Sequence, residues 1–230
     1  NGKITFTLDI SGRPEYAQGK FAVGVKKSKT IYTVISSKSY VSNPEKLSSN
    51  TATYFVPKTK KGIQSTTFSE VTDTKSKTIF FNLYISDLMR KDSGVETYKY
   101  NGKTYHFNGL YGYMNLVQQC NAKGIQVTAQ ISIDKNASTQ SFTTGNSPSA
   151  ETAYYGRNTD TSTTRQTMEA MFAYLGEKFG SNNCYISNWI LGNEVNTMSG
   201  YYYVGNVSFS KFISMYSEAF RCLYNAVRSS

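Results

Sequence analysis

Three apolar runs constrain the fold of this chain more than any other feature: "KTIFFNLYI" (77–85), "IQVTAQISI" (125–133) and "YISNWILG" (185–192). Each has the length of one strand and is too apolar to be wet on one side, which predicts strands covered on both faces. Helical patterns separate and follow them. In "LYGYMNLVQQCNAKG" (110–124), Leu110, Tyr113, Met114 and Val117 share one face, and Gly124 supplies a stop. In "TTRQTMEAMFAYLGEKFG" (163–180), Met168, Met171, Phe172, Leu175 and Phe179 form a stripe. A last helix over 208–230 has Ser208 as N-cap, with Phe212, Ile213, Tyr216, Ala219, Phe220, Leu223 and Val227 turned inward. Strands alternating with helices predict an α/β layer or barrel with parallel strands, and sites on such sheets lie at the carboxyl ends of the strands.

Residues 1 to about 60 read differently, as a β-rich segment preceding an α/β unit over 61–230. "KITFTLDI" alternates apolar and polar residues. "KFAVGV" and "TIYTVIS" flank the turn "KKSK" as a hairpin, "SNPEKLSSN" is a loop or short helical turn, and "ATYFVP" is a strand stopped by Pro57. Within the α/β part, the insertion 87–108 carries "YNGK", a type I′ hairpin signal because Asn-Gly accepts positive φ at both central positions. A polar stretch of 27 residues, 134–160, is long enough to carry function.

Several classes of chemistry are disfavoured. The net charge of +10 could suit a polyanion, but the lysines are scattered and no nucleic-acid motif accompanies them, so no nucleic-acid partner is expected. His106 is the only histidine and has no nucleophile motif beside it. Cys120, Cys184 and Cys222 lack metal spacing and, being odd in number, cannot all pair; they read as buried thiols. No phosphate-binding glycine loop follows a strand, and neither cofactor nor metal is expected. No apolar run is long enough to span a membrane. Nineteen tyrosines against one tryptophan, and few charges among many Ser, Thr and Asn residues, favour an extracellular or cell-surface protein with half-buried aromatic surfaces.

One carboxylate stands out. "NWILGNEVN" (188–196) runs from an apolar strand through Gly192 to Asn193 and Glu194 at the carboxyl end. A carboxyl partly shielded there, oriented by amides that add no competing charge, suits a general acid for glycosidic cleavage. The other reading is an ordinary ionised glutamate capping a helix or pairing with a lysine. "GYYYVG" (200–205) follows closely, so Tyr201, Tyr202 or Tyr203 could stack on sugar rings, or pack the loop against the next helix; Tyr154 and Tyr155 are weaker candidates. Asp87 and Asp134 lie just beyond strand ends as sugar-hydroxyl acceptors, solvated loop carboxylates or a second catalytic carboxylate.

This motif resembles the fourth-strand Asn-Glu of the retaining glycoside hydrolases of clan A, which are (β/α)8 barrels. Together with "AVGVKKSKTIYTVISSKSYVSNPE", "KKGIQ", "YNGKTYHFN" and "KGIQVTAQI", in that order, it is similar to a bacterial barrel family carried as a domain of unknown function. The resemblance implies a partial (β/α)8 (TIM-type) barrel in which "GIQ" is the first strand. It also implies a secreted polysaccharide hydrolase with Glu194 as acid/base and Asn193 contacting a sugar 2-hydroxyl. Asn82, Asp134 and Asn196 then fall among the substrate-binding positions. Asn82 stands where many clan members have arginine, and Ile133 and Asp134 where many have histidine. The clan's nucleophile sits on a seventh strand, so the chain reads as the N-terminal half of a larger enzyme, inactive by itself, with an open barrel edge able to self-associate. A non-catalytic carbohydrate-binding or cell-surface module is the alternative.

Overall fold

The structure, a computed structural model, describes residues 5, 7–9, 12–91, 94–134, 136, 152–197 and 200–230. Half of the strand expected over "KITFTLDI" and most of the long polar stretch lie outside those residues, and residues 5 and 7–9 join no ladder. A short helix α1 (Glu15–Gln18) leads into β1 (Lys20–Phe21), which pairs antiparallel with β4 (Ser39–Tyr40). Between them β2 (Gly24–Lys26) and β3 (Tyr32–Val34) make the expected hairpin. Pro44–Leu47 form one 3-10 turn.

The central sheet begins with β5 (Gly62–Gln64) and helix α2 (Phe68–Asp73), then β6 (Thr78–Tyr84). A short helix α3 (Ile85–Met89), the hairpin β7 (Val95–Tyr100) and β8 (Lys103–Asn108), and helix α4 (Tyr111–Ala122) lead to β9 (Gln126–Asp134). The two-residue β10 (Tyr154–Tyr155) runs antiparallel to the end of β9. Helix α5 (Ser162–Lys178), a small ladder of β11 (Gly180–Ser181) with β12 (Cys184–Tyr185), β13 (Asn188–Leu191) and helix α6 (Phe209–Ser229) complete the described chain. β5, β6, β9 and β13 are parallel neighbours in their sequence order.

The two faces of this sheet are covered unequally: the apolar face is buried throughout, whereas the other is half-buried along β6 and buried on β9 only at Gln130 and Ser132, so the expectation of strands buried on both sides holds in part. Ile79, Phe81 and Leu83 of β6 and Val127, Ala129, Ile131 and Ile133 of β9 are buried in one cluster with residues of α4, α5 and α6. Register puts Thr78, Phe80, Asn82 and Tyr84 on the opposite face, level with Gln126, Thr128, Gln130 and Ser132. The sequence signal was present, since nearly every second residue there is polar or aromatic with a polar tip. Ile190, on that face of β13, is 40% exposed.

The helices follow their stripes with one exception. Met168, Met171, Phe172, Leu175 and Phe179 are all buried, Gly124 ends α4 at φ +60°, and Ser208 caps α6 by accepting from the Lys211 N–H at 3.3 Å. Ile213 and Phe220 of α6 are instead exposed, because the core meets the helix along Phe212, Met215, Ala219, Cys222 and Leu223. The three cysteines are free and buried, and burial pushes the Cys120 and Cys184 thiols up to about 11.

Residues 52–57 join no ladder, correcting the strand expected there. Side chains anchor this segment: the Tyr54 ring meets Tyr185 edge-on at 5.0 Å, and the Gln126 amide donates to the Phe55 carbonyl at 3.2 Å. Upstream, Gln18 donates to the Glu169 carbonyl at 3.0 Å and Asn225 to the Ala17 carbonyl at 2.9 Å. The N-terminal segment therefore runs along α5 and α6.

The Asn-Gly hairpin β7–β8 forms as expected, with Asn101 at φ +46° and Gly102 at φ +73°. It is fastened to α5 by tyrosine–glutamate hydrogen bonds. Tyr98 donates to Glu177 at 2.6 Å and Tyr100 to Glu169 at 3.3 Å. Burial raises the pKa of Glu169 and Glu177 despite these donors. For Glu96 burial pushes the same way, but Lys178 at 2.7 Å, Tyr111 and Tyr174 outweigh it and hold the carboxyl below its usual range. The pH dependences are therefore opposite. A raised folded pKa gives stability that is full below the unfolded value and lost as pH rises through the folded one. A lowered pKa gives stability lost as pH falls through the folded value. Glu169, the half-buried one of the two, gives the test: Glu169→Gln keeps an acceptor for Tyr100 and should raise Tm by about 1–2 °C near neutrality, a gain that vanishes below about pH 4. Glu96→Gln should lower Tm near neutrality, with the loss fading in acid. Thermal unfolding across pH checks both signs.

Candidate functional site at the carboxyl edge of the sheet

The carboxyl ends of β6, β9 and β13 gather the residues expected to carry function. On the polar face, side chains at this end form one hydrogen-bonded chain, buried at Gln130 and Ser132 and half-buried at Asn82, Tyr84 and Tyr154. Gln130 Nε2 donates to Asn82 Oδ1 at 3.0 Å and lies 3.3 Å from Ser132 Oγ. Asn82 Nδ2 donates to the Tyr84 hydroxyl at 3.3 Å, and that hydroxyl is 3.4 Å from the hydroxyl of Tyr154. The Tyr84 and Tyr154 rings stack at 6.2 Å, with 19° between their planes. The hydrogen bond with Tyr84, and then burial, push the Tyr154 hydroxyl up to about 12. Tyr154 therefore remains a neutral donor-acceptor at physiological pH. Tyr84, Gln130 and Ser132 were missed as site residues from sequence, although strand alternation places them beside Asn82.

Glu194 leaves the sheet through a sharply shaped turn. The Gly192 N–H donates to the Ile131 carbonyl at 2.9 Å, making the last rung between β13 and β9. Gly192 has φ +78°, and a Cβ there would collide with the Tyr202 ring. Glu194 itself has φ +39°, a left-handed conformation uncommon for a side-chain-bearing residue. Thr197 fixes the turn by donating its N–H to the Glu194 carbonyl at 2.8 Å and its hydroxyl to the same oxygen at 2.6 Å. The Glu194 side chain is exposed, not shielded as the sequence suggested, because the chain turns outward directly after Gly192. Asn193 is half-buried and Asn196 exposed.

Beneath this turn lies a buried cationic and phenolic layer. Arg157 is 2% exposed and donates Nη2 to the Ile131 carbonyl at 3.1 Å, the oxygen that also receives Gly192. Its Nε and Nη1 have no partner among the described residues, and burial lowers its pKa from the ordinary arginine value. Tyr216 donates to the Leu191 carbonyl at 3.2 Å. Tyr202 is 2% exposed and its ring meets Phe212 and Tyr216 edge-on. It therefore supports the Glu194 turn from inside and offers no free ring face to a ligand. Tyr201 is 44% exposed, and Tyr203 joins β10 by hydrogen bonds to Tyr154 and Gly156.

The two other carboxylates at this end already hold donors. Asp134 accepts from the Ser86 N–H at 3.1 Å, at the start of α3, and Asp87 accepts from the Tyr113 hydroxyl at 2.8 Å. Hollows of about 380 and 580 Å³ flank α3, both lined by Asp87 and Arg90 and neither by Glu194. Among the described residues no group of three His, Cys, Asp or Glu side chains is placed to hold a metal ion. Nor is any helix among them long and apolar enough to cross a membrane. Gly192→Ala should cost about 1–3 kcal/mol through its positive φ and the Tyr202 ring. Denaturant unfolding measures that cost, and the same change at Gly112, where a Cβ meets nothing, serves as the comparison.

Residues 53–230 match a family of unknown function (DUF5722). Comparisons with curated proteins and with solved structures return no match. With that match spanning the whole sheet and the Asn193–Glu194 turn, the chain belongs to the DUF5722 family of unknown function.

Proposed function

We propose that this chain carries the acid/base side of a glycoside-hydrolase-like site acting on an extracellular or cell-surface polysaccharide. The supporting observation is positional. Four parallel strands stand in sequence order, and Asn193–Glu194 follows the fourth at the carboxyl edge, where α/β sheets concentrate their chemistry. On this reading the strands are the first four of a (β/α)8-type barrel. Glu194 gives its proton to the departing glycosidic oxygen and, as carboxylate, then takes one from the attacking water. Asn193, Asn82, Tyr201 and the stacked Tyr84–Tyr154 pair present polar groups and a ring face to sugar hydroxyls and C–H faces, with the buried Gln130 holding Asn82 in place.

Retention of configuration needs a second carboxyl about 5–5.5 Å away. Asp134 accepts from the Ser86 N–H and Asp87 from Tyr113, and on this reading neither is the nucleophile, which the likeness to clan A assigns to a later strand of the barrel. The exposure of Glu194 favours a second reading, a carbohydrate-binding or cell-surface module that keeps the framework without turnover.

A panel of soluble β-linked polysaccharides separates the two. In a protein supplying the second carboxyl, Glu194→Gln should lower kcat by about 10²-fold or more while sparing binding. Turnover unchanged by that variant removes Glu194 from the chemistry. Binding by the 230-residue chain that Tyr201→Ala weakens, with no hydrolysis in any longer form, selects the module. The edges of β5 and β13, unpaired among the described residues, also predict concentration-dependent self-association, read by sedimentation velocity; a monomer at all concentrations excludes it.

A further inference from the structure

Every residue from Ala22 to Ser39 is exposed. Within this arm, among the described residues, β2 and β3 pair only with each other, Gly24 with Val34, Val25 with Thr33 and Lys26 with Tyr32. The tip closes when the Lys27 and Ser28 N–H groups donate to the Ile31 carbonyl, at 2.8 and 3.3 Å. The base closes when the Ile35 N–H donates to the Val23 carbonyl at 2.9 Å. A two-stranded ribbon is marginal in water without a covering layer. Yet Val23, Val25, Ile31, Tyr32, Val34 and Ile35 each leave 49–62% of their surface in solvent. Alternation gives one face Val23, Val25 and Ile35 and the other Tyr32 and Val34, so both faces are apolar.

Charge narrows the choice of cover. From Tyr16 to Pro44 the chain has Lys20, Lys26, Lys27, Lys29 and Lys38 and no acidic residue. A second copy of the arm would bring like charges together. An anionic polysaccharide would neutralise the lysines and leave the valines and isoleucines wet. A lipid surface bearing negative charge answers both features: lysines reach the phosphates while Val25, Ile31 and Tyr32 sit at the boundary of headgroups and acyl chains. The geometry fits. About six residues from Val23 to the tip extend roughly 20 Å, and interfacial segments enter about 5–10 Å. At that depth water remains to satisfy the ribbon's free edges.

We propose that the β2–β3 arm docks the protein on an anionic lipid surface, independently of any role for Glu194. The test is co-sedimentation of the 230-residue chain with vesicles of phosphatidylcholine plus phosphatidylglycerol, beside vesicles of phosphatidylcholine alone. Binding to the anionic vesicles should be stronger by about tenfold or more. Val25→Ser with Ile31→Ser keeps every lysine and should lose about tenfold at low and raised salt. Replacing Lys26, Lys27 and Lys29 by Ser should weaken binding chiefly at low salt, where charge is least screened. Tyr32→Trp adds an indole at the arm, and its emission, measured over that of Trp189 in the parent, should shift to the blue when anionic vesicles are added. Equal partition to both vesicle types, an apolar variant that binds like its parent, or an added indole emission that does not move would each overturn the proposal. So would retention on a sulfated polysaccharide without vesicle binding, which would assign the lysines to a polymer.

Discussion

The in-register parallel ladder between β6 and β9 is the constraint on which the structure depends. Seven rungs, from Thr78 with Gln126 to Tyr84 with Ser132, hold two strands so that Ile79, Phe81 and Leu83 share one face with Val127, Ala129 and Ile131. A slip by one residue would send Ile79, Phe81 and Leu83 into water and Asn82 into the core, which is why a half-buried strand tolerates only one register. That single alignment also fixes the polar face, because Asn82 is level with Gln130 and their side chains hydrogen-bond across the strands. Core packing and the polar chain at the site are two sides of one arrangement.

The second organising feature is the Ile131 carbonyl. It accepts from Gly192, which ends the β13 ladder, and from the buried Arg157. Burying a guanidinium costs free energy that a single backbone acceptor offsets only in part. Phe172 lies 5.7 Å from its charge centre and adds a ring face. Tyr202 then fills the space that Gly192 leaves, so the turn carrying Asn193 and Glu194 rests on buried groups although Glu194 itself is exposed. On α5 tyrosine donors from the β7–β8 hairpin hold Glu169, which is half-buried, and Glu177, which stays exposed.

Much of this was legible residue by residue. The α5 stripe, the Gly124 stop, the Ser208 cap and the Asn101-Gly102 turn all follow from local rules that act within a few residues. Local rules misread the long-range partners. Ile213 and Phe220 fit a helical stripe but lie outside the part of α6 that meets the core, and "ATYFVP" has strand composition without a neighbouring strand to bond. At the candidate site, sequence located Asn82, Asn193, Glu194 and Asp134 near strand ends. It could not tell that Tyr202 would turn inward, that Asp134 would bond the start of α3, or that Tyr84 and Tyr154 would stack.

By itself the sequence determined where most of the strands and helices form and which carboxylate follows the fourth parallel strand, because hydrophobic period and turn chemistry are properties of adjacent residues. Tertiary structure alone decided how far the polar sheet face is covered, what lies beneath Gly192, and that the β2–β3 arm is exposed along its whole length. Those outcomes depend on residues far apart in the chain meeting or failing to meet. The free energy of such meetings is set by burial and hydrogen bonding across the fold, which no local pattern records.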